Sequence, residues 1–173
     1  FCNLRSLYHV TSDPDKELTN ETLFSLTKLT FLGLSNNSKI HNVNHLKNLV
    51  YLMLQYTPNI KDLNGLTNLK TLVVLCTNLT NESIKNLSQL EILTIHNNTV
   101  DESKYQQNML DVNHMVNLVL LFISRQFVIT TCFLHLKKLK YLSVKDIFSP
   151  FELNHFDSLE LLSIENCPQI TFN

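Results

Sequence analysis

Cys76 and His96 are the residues whose types and spacing could do covalent chemistry, because an imidazole that takes a thiol proton leaves a nucleophilic thiolate. Such a pair also needs a group to orient the ring and donors for an oxyanion. The sequence names neither, so no active site is assigned and the chain reads as a protein without catalysis of its own. His41 and His45 stand four apart, a separation that on a helix brings two imidazoles to one zinc ion. Around them, however, Ile40, Val43 and Leu46 recur every three positions, and no third ligand is near in sequence. Both read as surface histidines, and no metal or cofactor is expected. Lys137, Lys138, Lys140 and Lys145 are the nearest approach to a basic patch, but the net charge is -1, which argues against a nucleic-acid surface.

The elements that position these residues are set by a repeat. From Ile60 to Val74 the apolar residues Ile60, Leu63, Leu66, Leu69, Leu72 and Val74 run in steps of three and then two. Neither a single helix nor a single strand has that spacing, whereas one coil of a solenoid does. The pattern recurs in phase from Leu4, Leu29, Leu49, Leu69, Leu90, Leu118, Leu139 and Leu159, in steps of 25, 20, 20, 21, 28, 21 and 20 residues. Each start is followed by an inward pair such as Leu32/Leu34 or Leu142/Val144, and only the first coil puts a polar residue, His9, in an inner slot.

L-x-x-L-x-[LIV]-x-x-N resembles the leucine-rich repeat, and the resemblance covers essentially the whole chain. It implies an α/β, right-handed solenoid of about eight coils, with a curved parallel sheet on the concave face and short 3-10, α or irregular segments on the convex face. It also implies that the ninth position, occupied by Ser12, Asn37, Thr57, Thr77, Asn98, Gln126, Ile147 and Cys167, bonds the backbone of neighbouring turns. Gln126 and Ile147 depart from that pattern.

Two return segments, from Leu18 and from Leu79, are near copies in which Thr and Asn supply caps and Glu21 or Glu82 lies in the first turn. They predict short helices at 20–26 and 81–87 that bury Leu23/Leu26 and Ile84/Leu87. Strict threes elsewhere suit the three residues per turn of a 3-10 segment. About seven extra residues within Asp101 to Val112 predict a bulge on the return side, and Asp13 to Glu17 predicts a turn. With two glycines in the chain, asparagine is expected to supply the left-handed corners.

Cys2, Cys76, Cys132 and Cys167 fall in coils at least two repeats apart, roughly 10 Å at the ~4.8 Å spacing of strands, too far for a disulfide. Free thiols point to a cytoplasmic setting. N-x-[ST] sequences at Asn20, Asn36, Asn78, Asn81, Asn86 and Asn97 point to the alternative, an extracellular one. No apolar run approaches the ~18 residues of a membrane span. The chain, residues 1–173, reads as one repeat domain excerpted from a longer protein, with flanking domains or a neighbouring subunit covering the solenoid ends.

Side chains alternate along a strand, so the residues beside each inward pair form three rows across the concave face. The first two rows are rich in aromatic and aliphatic side chains, which on a stable protein mark an interaction site. The expected partner-binding residues are Tyr8, Phe31, Tyr51, Met53, Val73, Ile92, His96, Phe122, Arg125 and Tyr141. The expected function is protein binding on the concave sheet in an intracellular recognition or scaffold role, or alternatively as a receptor ectodomain recognising a protein ligand.

Overall fold

The computed structural model describes residues 3–77, 79–97, 110–125, 133, 135–153 and 156–171. Its main feature is an eight-stranded, all-parallel sheet. The strands are β1 (Ser6–Val10), β2 (Phe31–Ser35), β3 (Tyr51–Gln55), β4 (Thr71–Leu75), β5 (Ile92–His96), β6 (Leu120–Ser124), β7 (Tyr141–Lys145) and β9 (Leu161–Glu165), paired in chain order. Between β7 and β9 lies β8 (Phe151–Glu152), which pairs in parallel with β10 (Ile170–Thr171) in a second, two-stranded sheet that the repeat pattern does not predict.

Register follows the leucines. Leu32 lies opposite Leu52, Leu52 opposite Leu72 and Leu72 opposite Leu93, so each inward pair stacks on its counterpart in the next coil. These side chains are almost completely buried, and they merge with the period-three leucines of the return segments into one continuous core. A coil cannot bury its leucines by itself, and its neighbours supply the missing surface. Cover is thinner at the outer coils: Leu162 is 39% exposed where its counterpart Leu142 is 0% exposed, and Leu7 and His9 are half-buried.

The return segments explain the steps of three. Leu66 N–H donates to Leu63 C=O and Leu69 N–H to Leu66 C=O, both at 3.0 Å, and the same i to i+3 bonds link Val43, Leu46 and Leu49, and Val112, Met115 and Leu118. Each leucine therefore closes one tight turn and points inward, as three residues per turn require. The two helices form where expected but end sooner, as α1 (Asn20–Phe24) and α2 (Asn81–Ile84). Thr19 accepts from Thr22 N–H, and Ser83 Oγ accepts from Thr80 N–H at 2.9 Å. The i to i+3 bonds of Leu26 to Leu23 and Leu87 to Ile84 then take over, because the next leucine must face inward after three residues. Leu23, Leu26, Ile84 and Leu87 are buried as predicted. A 3-10 turn at Pro14–Lys16, capped by Asp13, realises the Asp13–Glu17 turn. The 101–112 insertion lies mostly outside the described residues, and its end, Leu110 and Val112, is core.

Polar side chains bridge the coils. At the ninth position Asn37 is fully buried, donates to Leu18 C=O at 2.9 Å and accepts from the N–H groups of Lys39 and Ile40. Ile147 is buried as an apolar substitute, and the Cys167 thiol approaches Glu165 C=O at 3.3 Å. Thr57 and Thr77 instead hold buried hydroxyls with no partner among the described residues, so they fill the slot without continuing the ladder. Asn98 and Gln126 lie outside the described residues. A second ladder, absent from the sequence reading, runs on the return side: Asn48 donates to Thr27 C=O, Asn68 to Lys47 C=O and Asn117 to Ser88 C=O, at 2.9, 2.9 and 3.1 Å. Its signal is the recurrent Asn immediately before the first leucine of a coil.

The two kinds of ninth residue predict opposite outcomes. Asn37→Ala strands buried backbone donors and is expected to destabilise by about 2 kcal/mol or more, whereas Thr57→Val removes an unpaired hydroxyl and is expected to be neutral or stabilising. Urea denaturation of both variants reads the difference.

Candidate functional site

The outer face of the sheet is built by alternation. With the leucine pairs inward, residues one, three and five of every strand point outward, and parallel register aligns them across the coils. The first row carries Phe31, Tyr51, Ile92 and Tyr141, and the second carries Tyr8, Met53, Val73 and Phe122. His96 lies in the third row beside Leu75 and Ser124. Tyr8 and Tyr141 are exposed, and the other seven are half-buried by their neighbours along the rows. Arg125 is not on a strand. It is the first residue after β6, at the strand-end margin of the face.

Two aromatic arrangements shape the face at its first coils. The rings of Phe31 and Tyr51 stack at 4.6 Å with an interplanar angle of 14°. Tyr8 lies over Gly33 so closely that a Cβ at that position would fall 2.2 Å from Tyr8 Cδ2. Glycine in a strand interior commonly marks such a close approach. The third row is less open than its neighbours, because Ser35 and Ser124 are buried.

Charge is absent from most of this surface. Among the outward residues of β1 to β6 there is no Asp, Glu, Lys or Arg; the first are Lys145 on β7 and Glu165 on β9, which pair with each other. Several charges at the margins are also paired across coils: Lys70 with Glu91, Lys140 with Glu160 at 2.6 Å, and Arg125 Nε with Asp146 at 3.3 Å. Hydrogen bonds from the Asn166 amide, then the Arg125 guanidinium, hold Asp146 below the usual carboxylate range. Lys140 and then the Tyr141 hydroxyl do the same for Glu160, which in turn raises Lys140. Glu165 raises Lys145.

The strand-end margin also carries backbone strain. The first residue after the strand adopts φ of 49° to 54° at Asn36, Tyr56, Cys76, Arg125, Asp146 and Asn166. That conformation aims the first five of these N–H groups at the last strand carbonyl of the next coil, as in Tyr56 to Leu75 at 3.1 Å and Arg125 to Lys145 at 3.0 Å. Asparagine and aspartate take this backbone readily, but tyrosine, cysteine and arginine do not. The expectation that asparagine supplies these corners therefore holds at Asn36 and Asn166 and fails at the other four, of which only Asp146 has a side chain that takes this backbone readily. Tyr56, 44% exposed at the margin, is a surface residue that the row pattern misses because it follows the strand.

The other candidate chemistry resolves into structural contacts. Cys76 meets His96 through the main chain, its N–H donating to His96 C=O at 2.8 Å. His45 is part-buried, with Nε2 3.1 Å from Leu23 C=O and its ring beside Phe24, and so serves as a bridge between coils rather than a free surface histidine. His41 is exposed. Among the described residues no three His, Cys, Asp or Glu side chains converge on a common point. Cys76 and Cys167 are free thiols, and Cys2 and Cys132 lie outside the described residues. Lys138, Lys140 and Lys145 each have a partner. Asn20 Oδ1 accepts from His41 and Asn42, and Asn81 Oδ1 accepts from Asp111, so two of the N-x-[ST] asparagines hold adjacent coils together. Among the described residues no helix is long and apolar enough to cross a membrane.

No protein-family model matches the sequence, and comparison with curated proteins finds no match. Solved structures do match. Internalin C2 of Listeria monocytogenes is similar with a TM-score of 0.61 and 21% identity, over 86% of this chain and 77% of that one. The plant peptide hormone receptor RGFR1, in complex with RGF2, is similar with a TM-score of 0.60 and 15% identity over 87% of this chain. A leucine-rich-repeat protein of Leptospira interrogans is similar with a TM-score of 0.54 and 20% identity over 91%. The chain spans 26% of the receptor and 48% of the Leptospira protein. With the eight-stranded parallel solenoid, these likenesses show a leucine-rich-repeat fold, whose sheet forms the concave face.

Two outcomes follow from the margin. Tyr56→Asn relieves left-handed strain and is expected to stabilise by about 1 kcal/mol in chemical denaturation, while Asn36→Ala is expected to destabilise by a similar amount. The carboxylates of Asp146 and Glu160 are depressed, so their contribution is present above the ordinary values of 3.8 and 4.5 and lost as pH falls through the lower folded values. Thermal melts are expected to drop in that acid range, less steeply for Asp146→Asn. The raised lysines lose their contribution only above 10.5.

Proposed function

We propose that the chain is a protein-interaction module that binds a partner protein through its concave sheet and carries out no catalysis of its own. The observation that carries this reading is the uncharged outward surface of β1 to β6. A solvated sheet face ordinarily carries charge, whereas the buried centres of interfaces are depleted of it and enriched in tyrosine, phenylalanine and methionine. The binding residues are Tyr8, Phe31, Tyr51, Met53, Val73, Ile92, His96, Phe122 and Tyr141, with Arg125 at the rim. The complex of the plant receptor with RGF2 supports a recognition role for this fold.

The setting is an intracellular recognition or scaffold role within a longer chain, supported by the free thiols of Cys76 and Cys167. A receptor ectodomain is the second reading, supported by the N-x-[ST] sequences and the receptor likeness; glycans found at Asn20 or Asn81 by mass spectrometry would favour it. In either setting, flanking sequence or a neighbouring subunit covers Leu162 and the first coil.

Tyr51→Ala/Met53→Ala/Phe122→Ala, compared with the parent chain in a pull-down, is expected to abolish partner capture with the circular dichroism spectrum unchanged. Retained capture by the folded variant would remove the concave face from consideration. Because the outward surface of β1 to β6 carries no Asp, Glu, Lys or Arg, capture is also expected to change little between low salt and 0.5 M salt.

A further inference from the structure

We propose that the concave face takes an uncharged, proline-rich segment in the polyproline II conformation, laid across the strands over β1 to β6. This rests on the reading of that face as the binding surface. Charge argues first: a carboxylate or ammonium docked against these six strands would be desolvated without a counter-charge, so the occupant is neutral where it touches. Shape argues next, because a concave sheet cannot mate with the same concave sheet of a second copy, whereas a narrow, extended segment fits along it.

Spacing then distinguishes among extended segments. Parallel strands repeat every ~4.8 Å, so every second strand recurs at about 9.6 Å. A polyproline II helix has three residues per turn with a rise of 3.1 Å, a repeat of about 9.3 Å, and so returns the same side to every second strand. A β-strand presents one side at about 6.7 Å intervals and drifts out of step with the strands beneath it. Proline-rich backbone also has carbonyl acceptors and few N–H donors, and the face supplies hydroxyl donors from Tyr8, Tyr51, Thr71 and Thr94 beside its apolar side chains. Such segments dock on aromatic surfaces. Here the surface is made by the stacked Phe31 and Tyr51 and by Tyr8, held against the sheet because Gly33 has no Cβ. Gly33 is thus a positioning residue for Tyr8.

Synthetic decaproline is the probe, titrated to millimolar concentration into isotope-labelled protein, with an uncharged amphipathic helical peptide in a parallel titration. Decaproline is expected to shift resonances of Tyr8, Tyr51 and Val73 but not of Phe24 or Val116 on the return side. Tyr51→Ala and Gly33→Ala are each expected to weaken it at least tenfold while the remaining amide spectrum keeps its dispersion. No shift with decaproline alongside shifts of the same residues by the helical peptide overturns the proline-rich occupant and leaves the binding face standing. If neither peptide moves concave residues, both readings fall. Decaproline binding that is indifferent to Tyr51→Ala likewise overturns the proposal.

Discussion

Every coil must bury its leucines against the next coil, and the rest of the structure depends on that contact. Stacking at strand spacing fixes the register, which places Leu52, Leu72 and Leu93 in one inward column and assigns their neighbours to the outside. It also fixes the corners after β2, β3, β4, β6 and β7, where a left-handed residue donates its N–H to the neighbouring coil. The same demand shortens the helices, because the i to i+3 leucine turns must resume before a longer helix can rotate the next side chain out of the core.

Much of this is readable in the sequence because the repeat is written in residue types. The phase of Leu29, Leu49 and Leu69 locates the strands, and the identity of every outward row follows from counting by two. Spacing in threes identifies the return turns. What stays hidden is whatever depends on distance between coils rather than position within one. The role of Gly33 appears only when Tyr8, 25 residues earlier, is seen above it. His45 looks like a surface residue until Leu23 C=O is found beside its ring. The corners at Tyr56, Cys76 and Arg125 depart from local preference, and composition alone, with so much asparagine at hand, points the wrong way there.

The outward face of the first six strands shares one property across different side chains: it is uncharged, while several charges at its margins pair along adjacent coils. Stability does not require that property, since outward positions on β7 and β9 carry Lys145 and Glu165 within the same register. Three non-asparagine corners at the margin carry strain that a single substitution would relieve, and such strain is often kept where side chains have work beyond folding. Both features lie on the concave side and its rim. The return side is occupied by the asparagine bridges and by the leucine turns.

The most direct measurement is a matched pair of charge insertions in β4, followed by thermal melting. Leu72 and Val73 are adjacent, one fully buried and inward, the other half-buried and outward. Val73→Lys is expected to keep a cooperative melt within a few degrees of the parent, because its ammonium reaches solvent on the free face, while Leu72→Lys is expected not to fold. Equal losses from the two substitutions would contradict the account, since the face would then be part of the packing rather than an open surface.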